Sequence, residues 1–187
     1  MRQKVHQAGI NLEVLNLDVV FESKRLLFRK IVKSDFHNLC SILQDKEVMY
    51  AWEHAFTDEE VNNWVDKNLE RYSNEGYSYF AVIEKHTYHF IGVIGPLIEQ
   101  IEDGEQIGIA YILNKRYWGK GYAVEGARAS IDYAFQYLKA DRVIAQIRPN
   151  NLPSRKIAEK LGMKIEGEYI KHYNDKEMLH LIYSRGK

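Results

Sequence analysis

The sequence has little of what disulfide-stabilised, zinc-binding or membrane-spanning proteins need. Cys40 is the only cysteine among 187 residues, which excludes both an intramolecular disulfide framework and a thiolate zinc cluster. No apolar run is long enough to cross a bilayer, and residues 1–10 lack the apolar core of a signal peptide. These absences predict a cytoplasmic protein with no membrane partner.

The chain also has no net charge and few residues that would mark a domain boundary. Basic and acidic residues number 26 each, so no global attraction to nucleic acid is expected. The seven histidines share no metal-ligand spacing, which predicts no metal site. Three prolines and no repeats leave nothing to divide the chain. Residues 1–187 are therefore expected to form a single domain, in which residues 1–20 are an N-terminal extension of uncertain structure.

Hydrophobic periodicity predicts an α+β fold with one central, mixed sheet flanked by helices. Helices are expected after Ser34, from Thr57 with Glu60 in a capping box, after Gly119 and from Asn151. The third would be the longest, at about five turns. Strands are expected at 25–31, 77–84, 89–98, 105–113, 142–147, 163–170 and 176–183, the second to fourth of them as an antiparallel meander.

A glycine-rich segment, residues 111–126, joins a strand to the third helix. Gly119 and Gly121 allow the backbone to close around a phosphate at the helix N-terminus, where unpaired amides favour an anion. Arg116 and Lys120 place two cations beside this turn. Neither the Walker nor the dinucleotide-binding glycine pattern fits the spacing. The segment therefore predicts an anion-binding loop of another kind.

Three motifs resemble those of the GNAT superfamily of N-acetyltransferases, and in particular its ribosomal-protein N-acetyltransferase branch. They occur in the family's order and at similar separations, so the resemblance covers residues 22–183. The motifs are Arg116-x-x-Gly119-x-Gly121, Asn151-x-x-Ser154 followed by Glu-Lys-Leu-Gly-Met at 159–163, and Glu-Ser-x-Arg-Leu-Leu-Phe-Arg at 22–29.

The resemblance implies a GNAT-like fold that uses acetyl-CoA. Coenzyme A would lie in a cleft where the strand ending at Leu113 splays from the strand beginning near residue 142. The backbone amide of Leu113 would stabilise the oxyanion, and Ser154 would donate a proton to the leaving thiolate. A serine in a helix's first turn is often only a local hydrogen-bonding residue, so both interpretations of Ser154 stay open. The residues implied to bind the cofactor are Ile112, Leu113, Arg116, Trp118, Gly119, Lys120, Gly121, Tyr122, Ala123, Asn151 and Ser154.

The sequence departs from the family at two positions that often carry chemistry. The tyrosine found seven residues after the motif asparagine is replaced by Ala158, and the glutamate often found on the strand before Leu113 is replaced by Gly108. Glu105 lies on the same strand, but alternation predicts that it points to the opposite face from Gly108. A dedicated base is not required if the amine loses its proton to water.

The acceptor amine would bind beside the polar connection between the first two helices. Trp52 is a candidate contact there, because loop aromatics often line binding clefts. Glu53 and His54 are candidates for an acceptor contact and for the base, because they could overhang the same cleft, although loop charges are more often simply solvated. His180 and Tyr173 near the C-terminus are further candidates. The sequence fixes neither the acceptor nor the oligomeric state.

Two functions are consistent with these features. The first is transfer of an acetyl group from acetyl-CoA to a primary amine, either a protein N-terminus or a small molecule. The alternative is a non-catalytic acyl-CoA-binding regulator or sensor, which the two missing residues suggest. Transfer of a longer acyl group by the same fold is a third possibility.

Overall fold

The computed structural model describes residues 18–101, 104–173 and 175–187, which form eight strands and four helices. The strands are β1 (Val19–Glu22), β2 (Leu26–Lys30), β3 (Phe80–Glu84), β4 (Phe90–Ile101), β5 (Gly104–Leu113), β6 (Arg142–Ile147), β7 (Lys164–Tyr173) and β8 (Lys176–Gly186). The helices are α1 (Phe36–Leu43), α2 (Asp58–Asn74), α3 (Tyr122–Gln136) and α4 (Leu152–Lys160), with short 3-10 turns at Lys33–Asp35, Met49–Trp52 and Lys115–Tyr117.

All eight strands belong to one sheet, in the order β1-β2-β3-β4-β5-β6-β8-β7. Neighbours run antiparallel except β5 and β6, which are parallel and pair at Gly108 and Ile144. On its other side, β5 stays paired with β4 as far as Leu113. The two parallel strands therefore separate beyond Gly108. This confirms the prediction of a mixed, mostly antiparallel sheet with a splayed strand pair.

The predicted helix boundaries are mostly confirmed, with one error of length. The Thr57 hydroxyl accepts a hydrogen bond from the Glu60 amide at 3.3 Å, and the Glu60 carboxylate accepts one from the Thr57 amide at 2.7 Å. This is the predicted capping box. However, α2 has 17 residues and α3 only 15, so the prediction that α3 is the longest helix was wrong. Leu138 continues the apolar period, but the chain has already left the helix and turns at Lys139, where φ is +60°.

The first described residues differ from the sequence prediction in two ways. β1 begins at Val19, inside the stretch expected to be an extension of uncertain structure, whereas residues 1–17 lie outside the described residues. Ser34 does not cap α1, because it lies in the preceding 3-10 turn. Asp35 orders this turn instead: its carboxylate accepts from the Val32 amide at 3.0 Å and pairs with Arg29 through two bonds of 2.7 and 2.6 Å.

Two clusters of buried side chains hold the sheet and helices together. One joins α1 and α2 to β2, β3 and β4, and the other joins α3 and α4 to β6 and β8. Ile112 and Leu113 of β5 belong to the first cluster and Ile109 to the second, so the end of β5 lies between the two. Among the described residues, no helix combines the length and apolarity needed to traverse a bilayer.

Candidate active site

A cleft of about 510 Å³ opens beside the splayed end of β5. It is bounded by the end of β5, the loop into α3, the first turns of α4 and the 3-10 turn Met49–Trp52. Nine of the eleven residues predicted to bind the cofactor line this cleft: Ile112, Leu113, Trp118, Gly119, Gly121, Tyr122, Ala123, Asn151 and Ser154.

The two remaining residues of that set, Arg116 and Lys120, lie outside the cleft lining. Arg116 lines a separate hollow that also includes His89, and the Lys120 ammonium lies 5.3 Å from the ring centroid of Tyr117. The cations that do line the cleft are Lys156 and Lys160 of α4. The sequence analysis missed them, although their spacing of four residues places both on one helix face.

The glycine loop presents backbone amides to the cleft. Gly119 and Gly121 adopt left-handed conformations with φ of +72° and +79°, which favour glycine. The first helical bond runs from the Glu125 amide to the Gly121 carbonyl at 3.1 Å, so the amides of residues 122–124 have no acceptor within α3. Such amides at a helix N-terminus bind anions. The amide of Trp118, another residue implied to bind the cofactor, already donates to the Lys115 carbonyl at 3.1 Å.

The loop is fixed by the N-terminal motif. Glu125, in the first turn of α3, accepts hydrogen bonds from the Ser23 hydroxyl, the Arg25 amide and Arg25 Nε at 2.7, 2.7 and 2.6 Å. The same guanidinium donates to the Lys120 carbonyl at 3.0 Å and stacks 4.3 Å from the Tyr122 ring centroid. Burial disfavours the charge of Glu125, but the bonds from Ser23 and Arg25 outweigh it and lower the pKa of this carboxyl. Two motifs far apart in sequence thus form one structural unit.

The backbone of β5 offers hydrogen-bonding groups to the cleft in an alternating pattern. The Asn114 amide donates to the Ile91 carbonyl at 2.9 Å, and Leu113 lies opposite Gly92. In an antiparallel ladder, Leu113 and Tyr111 therefore direct their backbone groups away from β4, and Ile112 directs its groups toward β4. Trp118 Nε1 donates to the Leu113 carbonyl at 2.9 Å. The Leu113 amide and the backbone groups of Tyr111 thus face the splay. The backbone groups of Ile112, which the resemblance implied would bind the cofactor, pair with β4 instead.

A second, smaller cavity of about 220 Å³ lies on the other side of the splay. Its polar lining includes side chains on five segments of the chain, namely Tyr79, Glu99, Gln146 with Arg148, Lys171 with Tyr173, and His180. Trp52, Tyr111, Asn151 and Ser154 line both this cavity and the larger cleft. The two spaces therefore meet at a shared wall.

Hydrogen bonds organise this shared wall. Asn151 caps α4 as predicted, because its Oδ1 accepts from the Ser154 amide at 3.2 Å, and it also accepts from the Tyr50 hydroxyl at 2.6 Å. The Tyr111 hydroxyl donates to the Ser154 carbonyl at 3.2 Å. Burial raises the pKa of Tyr111 to about 12 and also raises the pKa of Tyr50. Both phenols therefore stay protonated at neutral pH.

Of the five candidate acceptor contacts, Trp52, Tyr173 and His180 line the smaller cavity, whereas Glu53 and His54 do not. Glu53 is exposed and pairs with Arg148 at 2.7 Å and Lys176 at 2.9 Å, and hydrogen bonds from these two cations lower its pKa. His54 Nε2 lies 2.7 Å from a Glu60 carboxylate oxygen. Both side chains have other partners, and their contact with an acceptor stays a prediction.

The positions where the sequence departs from its family have clear places in the fold. Ala158 is 1% exposed and packs in the second buried cluster. Glu105 is exposed and accepts from Gln100 Nε2 at 2.8 Å, on the face opposite Gly108, as alternation predicted. Among the described residues, no three His, Cys, Asp or Glu side chains are grouped as a metal ion would require.

Comparison with known proteins identifies the family. A profile for the acetyltransferase (GNAT) domain matches residues 25–164. The chain belongs to the GNAT acetyltransferase family. This GNAT protein is therefore an acyl-CoA-dependent acetyltransferase that uses acetyl-CoA, as the three sequence motifs implied.

Individual relatives extend the match over most of the GNAT chain. The uncharacterized N-acetyltransferase YnaD of Bacillus subtilis is 33% identical over 150 residues, which cover 80% of this chain and 85% of YnaD. A GNAT-family acetyltransferase structure from Bacillus anthracis is 30% identical with a TM-score of 0.75, covering 88% of this chain and 96% of that one. The ribosomal-protein-S5-alanine acetyltransferase of Vibrio fischeri is 25% identical with a TM-score of 0.71, covering 90% and 97% respectively.

Proposed function

We propose that this acetyltransferase acetylates a primary amine, a protein N-terminus or a small molecule, whose nitrogen enters the smaller cavity while coenzyme A occupies the cleft. The observation that carries this proposal is the wall shared by the two spaces, where Trp52, Tyr111, Asn151 and Ser154 line both. Ligands on its two sides would meet there, and holding two reactants together in this way supplies much of a transferase's rate enhancement.

The cleft fits coenzyme A in charge and in hydrogen-bonding capacity. The amides of residues 122–124 would hold the diphosphate, with Lys156 and Lys160 adding positive charge. The outward backbone groups of Tyr111 would pair with the pantetheine arm, much as an added strand pairs with a sheet edge. When bound, acetyl-CoA supplies the acetyl group as a reactive thioester.

The groups at the end of β5 suit the transfer step. The Leu113 amide faces the splay and would donate to the carbonyl oxygen as negative charge develops there. The amine nitrogen forms a bond to the acetyl carbon, and the carbon–sulfur bond breaks. The Ser154 hydroxyl, on the shared wall, is our proposed proton donor to the departing sulfur.

The smaller cavity favours the end of a slender amine. Its volume of about 220 Å³ is less than half the 510 Å³ of the cleft. Trp52, Tyr79 and Met178 supply apolar surface, and polar side chains complete the lining. A short alkyl or aryl amine, or the first residue of an extended peptide, matches that space better than a bulky ring system.

Release of free thiol from acetyl-CoA tests the proposed function. The wild-type protein is incubated with n-butylamine, putrescine, tyramine or a tetrapeptide with an N-terminal alanine. We expect amine-dependent thiol release with at least one of them. Binding of coenzyme A without release in the presence of any amine would favour the non-catalytic sensor instead.

A Ser154→Ala variant tests the proposed proton donor. We expect kcat to fall by about tenfold, because a thiolate is already a fair leaving group and needs only modest assistance. Affinity for coenzyme A, measured by calorimetry, should change little. Unchanged kcat would show that Ser154 has only a local structural role, with one of the nearby phenols or water supplying the proton.

A further inference from the structure

The face of the sheet above Gly108 is already occupied by a side chain from the neighbouring strand. A Cβ placed on Gly108 would lie 2.4 Å from Cγ of Glu99, far inside the contact distance of two carbons. A side chain on residue 108 would therefore force the Glu99 side chain to move. Here Glu99 fills the space above Gly108.

The strand register explains how Glu99 reaches that position. Leu97 pairs with Gly108 and Glu99 pairs with Gln106, so Glu99 and Gly108 are diagonal neighbours on one face of the β4–β5 ladder. The Glu99 side chain is 22% exposed and lines the smaller cavity. Glu105, one residue from the pairing partner of Glu99, points to the other face.

Glu99 is the one carboxylate among the described residues that line the smaller cavity. Glu99 is paired with Lys171, whose Nζ lies 3.4 Å from Glu99 Oε2, a long distance for a charge-assisted hydrogen bond. Lys171 is closer to the Gln146 carbonyl oxygen, at 3.0 Å. The carboxylate therefore has room to accept a bond from a ligand.

Two other ionisable groups near Glu99, His180 and Arg148, have bonding partners of their own. His180 Nδ1 donates to the Met178 carbonyl at 2.9 Å, and burial lowers the pKa of His180, so the ring is neutral at pH 7. Arg148 is paired with Glu53 at 2.7 Å. The titratable and charged groups that face Glu99 are Tyr79 before β3, Tyr111 of β5, Arg148 after β6, Tyr169, Lys171 and Tyr173 of β7, and His180 of β8.

We propose that Glu99 receives the ammonium of the acceptor amine and is the general base for acetyl transfer. This inference rests on the proposed function. The ammonium gives one proton to the Glu99 carboxylate, which passes it to solvent. The free amine then bonds to the acetyl carbon as the carbon–sulfur bond breaks, and the second proton lost by nitrogen balances the proton gained by the thiol. No oxidant or further reactant is needed.

A Glu99→Gln variant tests this role against Glu105→Gln, which makes the same charge change on the opposite face of the same strand pair. We expect kcat/KM at pH 7 to fall by about 100-fold in the first variant and by less than about twofold in the second. The Glu99 variant should recover as pH approaches the amine's own pKa of about 10, because the amine then loses its proton unaided. Equal activities and equal pH profiles of the two variants would overturn the proposal.

A carboxylate swap guards against a purely structural effect of losing Glu99. Gly108→Glu alone should be poorly active, because its Cβ meets Glu99 Cγ at 2.4 Å. The double variant Glu99→Ala with Gly108→Glu removes this clash and returns a carboxylate to the same face. We expect it to regain at least about tenfold over Glu99→Ala. No gain from a folded double variant that binds coenzyme A would contradict the proposal.

Binding separates failure of this inference from failure of the proposed function. The proteins are saturated with coenzyme A, and n-butylamine binding is measured by calorimetry. Weaker binding to Glu99→Gln than to Glu105→Gln supports the ammonium site even if the wild type releases no thiol. If the wild type turns over but both variants bind and react alike, Glu99 has no such role and the proposed function still stands.

Discussion

The two spaces that meet at the end of β5 are built in different ways. The larger cleft takes its anion-binding amides from the backbone of one short segment, held by a motif on the N-terminal strands, and α4 adds two lysines. The smaller cavity takes its polar groups from side chains on strands that are far apart in the sequence. A backbone site can therefore follow from a local motif, whereas a side-chain site depends on how distant strands align.

The strongest test of the backbone site is Gly121→Val. A β-branched residue disfavours a φ of +79°, so the loop should reorient its amides, and we expect coenzyme A affinity to fall by about 100-fold. Gly162→Val is the matched control, because Gly162 has a φ of +77° but does not line the cleft. Both variants should lose about 1–3 kcal/mol of stability, but only the first should lose affinity by calorimetry. Equal loss of affinity would show that the effect is general destabilisation.

A smaller effect is expected when the anchor of the loop is weakened. Glu125→Gln keeps the shape of the side chain but removes the charge that Arg25 pairs with. We expect about 2 kcal/mol less stability and about tenfold weaker coenzyme A binding. Glu53→Gln, which removes an exposed carboxylate paired with Arg148 and Lys176, should leave stability and coenzyme A affinity almost unchanged. Equal losses of stability and affinity in the two variants would contradict the role of Glu125 as the anchor of the loop.

The contribution of Glu125 to the free energy of unfolding should also depend on pH. Its folded-state pKa lies below the ordinary value of 4.5, so its stabilisation is complete above that value and is lost as pH falls through the folded-state pKa. The stability difference between wild type and Glu125→Gln should therefore be constant near neutrality and shrink below about pH 4.5. Urea unfolding at several pH values measures it. A difference that grows on acidification would contradict this assignment.

The smallest expected effect distinguishes two pairs of cations. Lys156→Ala with Lys160→Ala removes charge from the cleft, and we expect about fivefold weaker coenzyme A binding that fades at high salt. Arg116→Ala with Lys120→Ala makes the same charge change outside the cleft lining and should cost less than about twofold. The reverse order would mean that the cations of the loop, rather than those of α4, face the phosphates.

The same contrast explains what could be predicted from sequence. The Gly119 and Gly121 loop, the Asn151 cap and the capping box at Thr57 depend on residues close together in the chain, and the sequence analysis located them. The contact of Glu99 with Gly108 depends on the β4–β5 register, and Lys156 enters the cleft because of where α4 packs. Glu53 and His54 were chosen for their charge and position in a loop. The contacts that they make, Glu53 with Arg148 and His54 with Glu60, are seen only in the folded structure.

A crystal structure with bound acetyl-CoA tests the central claim most directly. We predict that the diphosphate contacts the amides of residues 122–124 and that the acetyl oxygen accepts from the Leu113 amide. The acetyl group should lie at the shared wall, between Trp52 and Ser154. A diphosphate bound elsewhere, or an acetyl group directed away from the smaller cavity, would contradict the account.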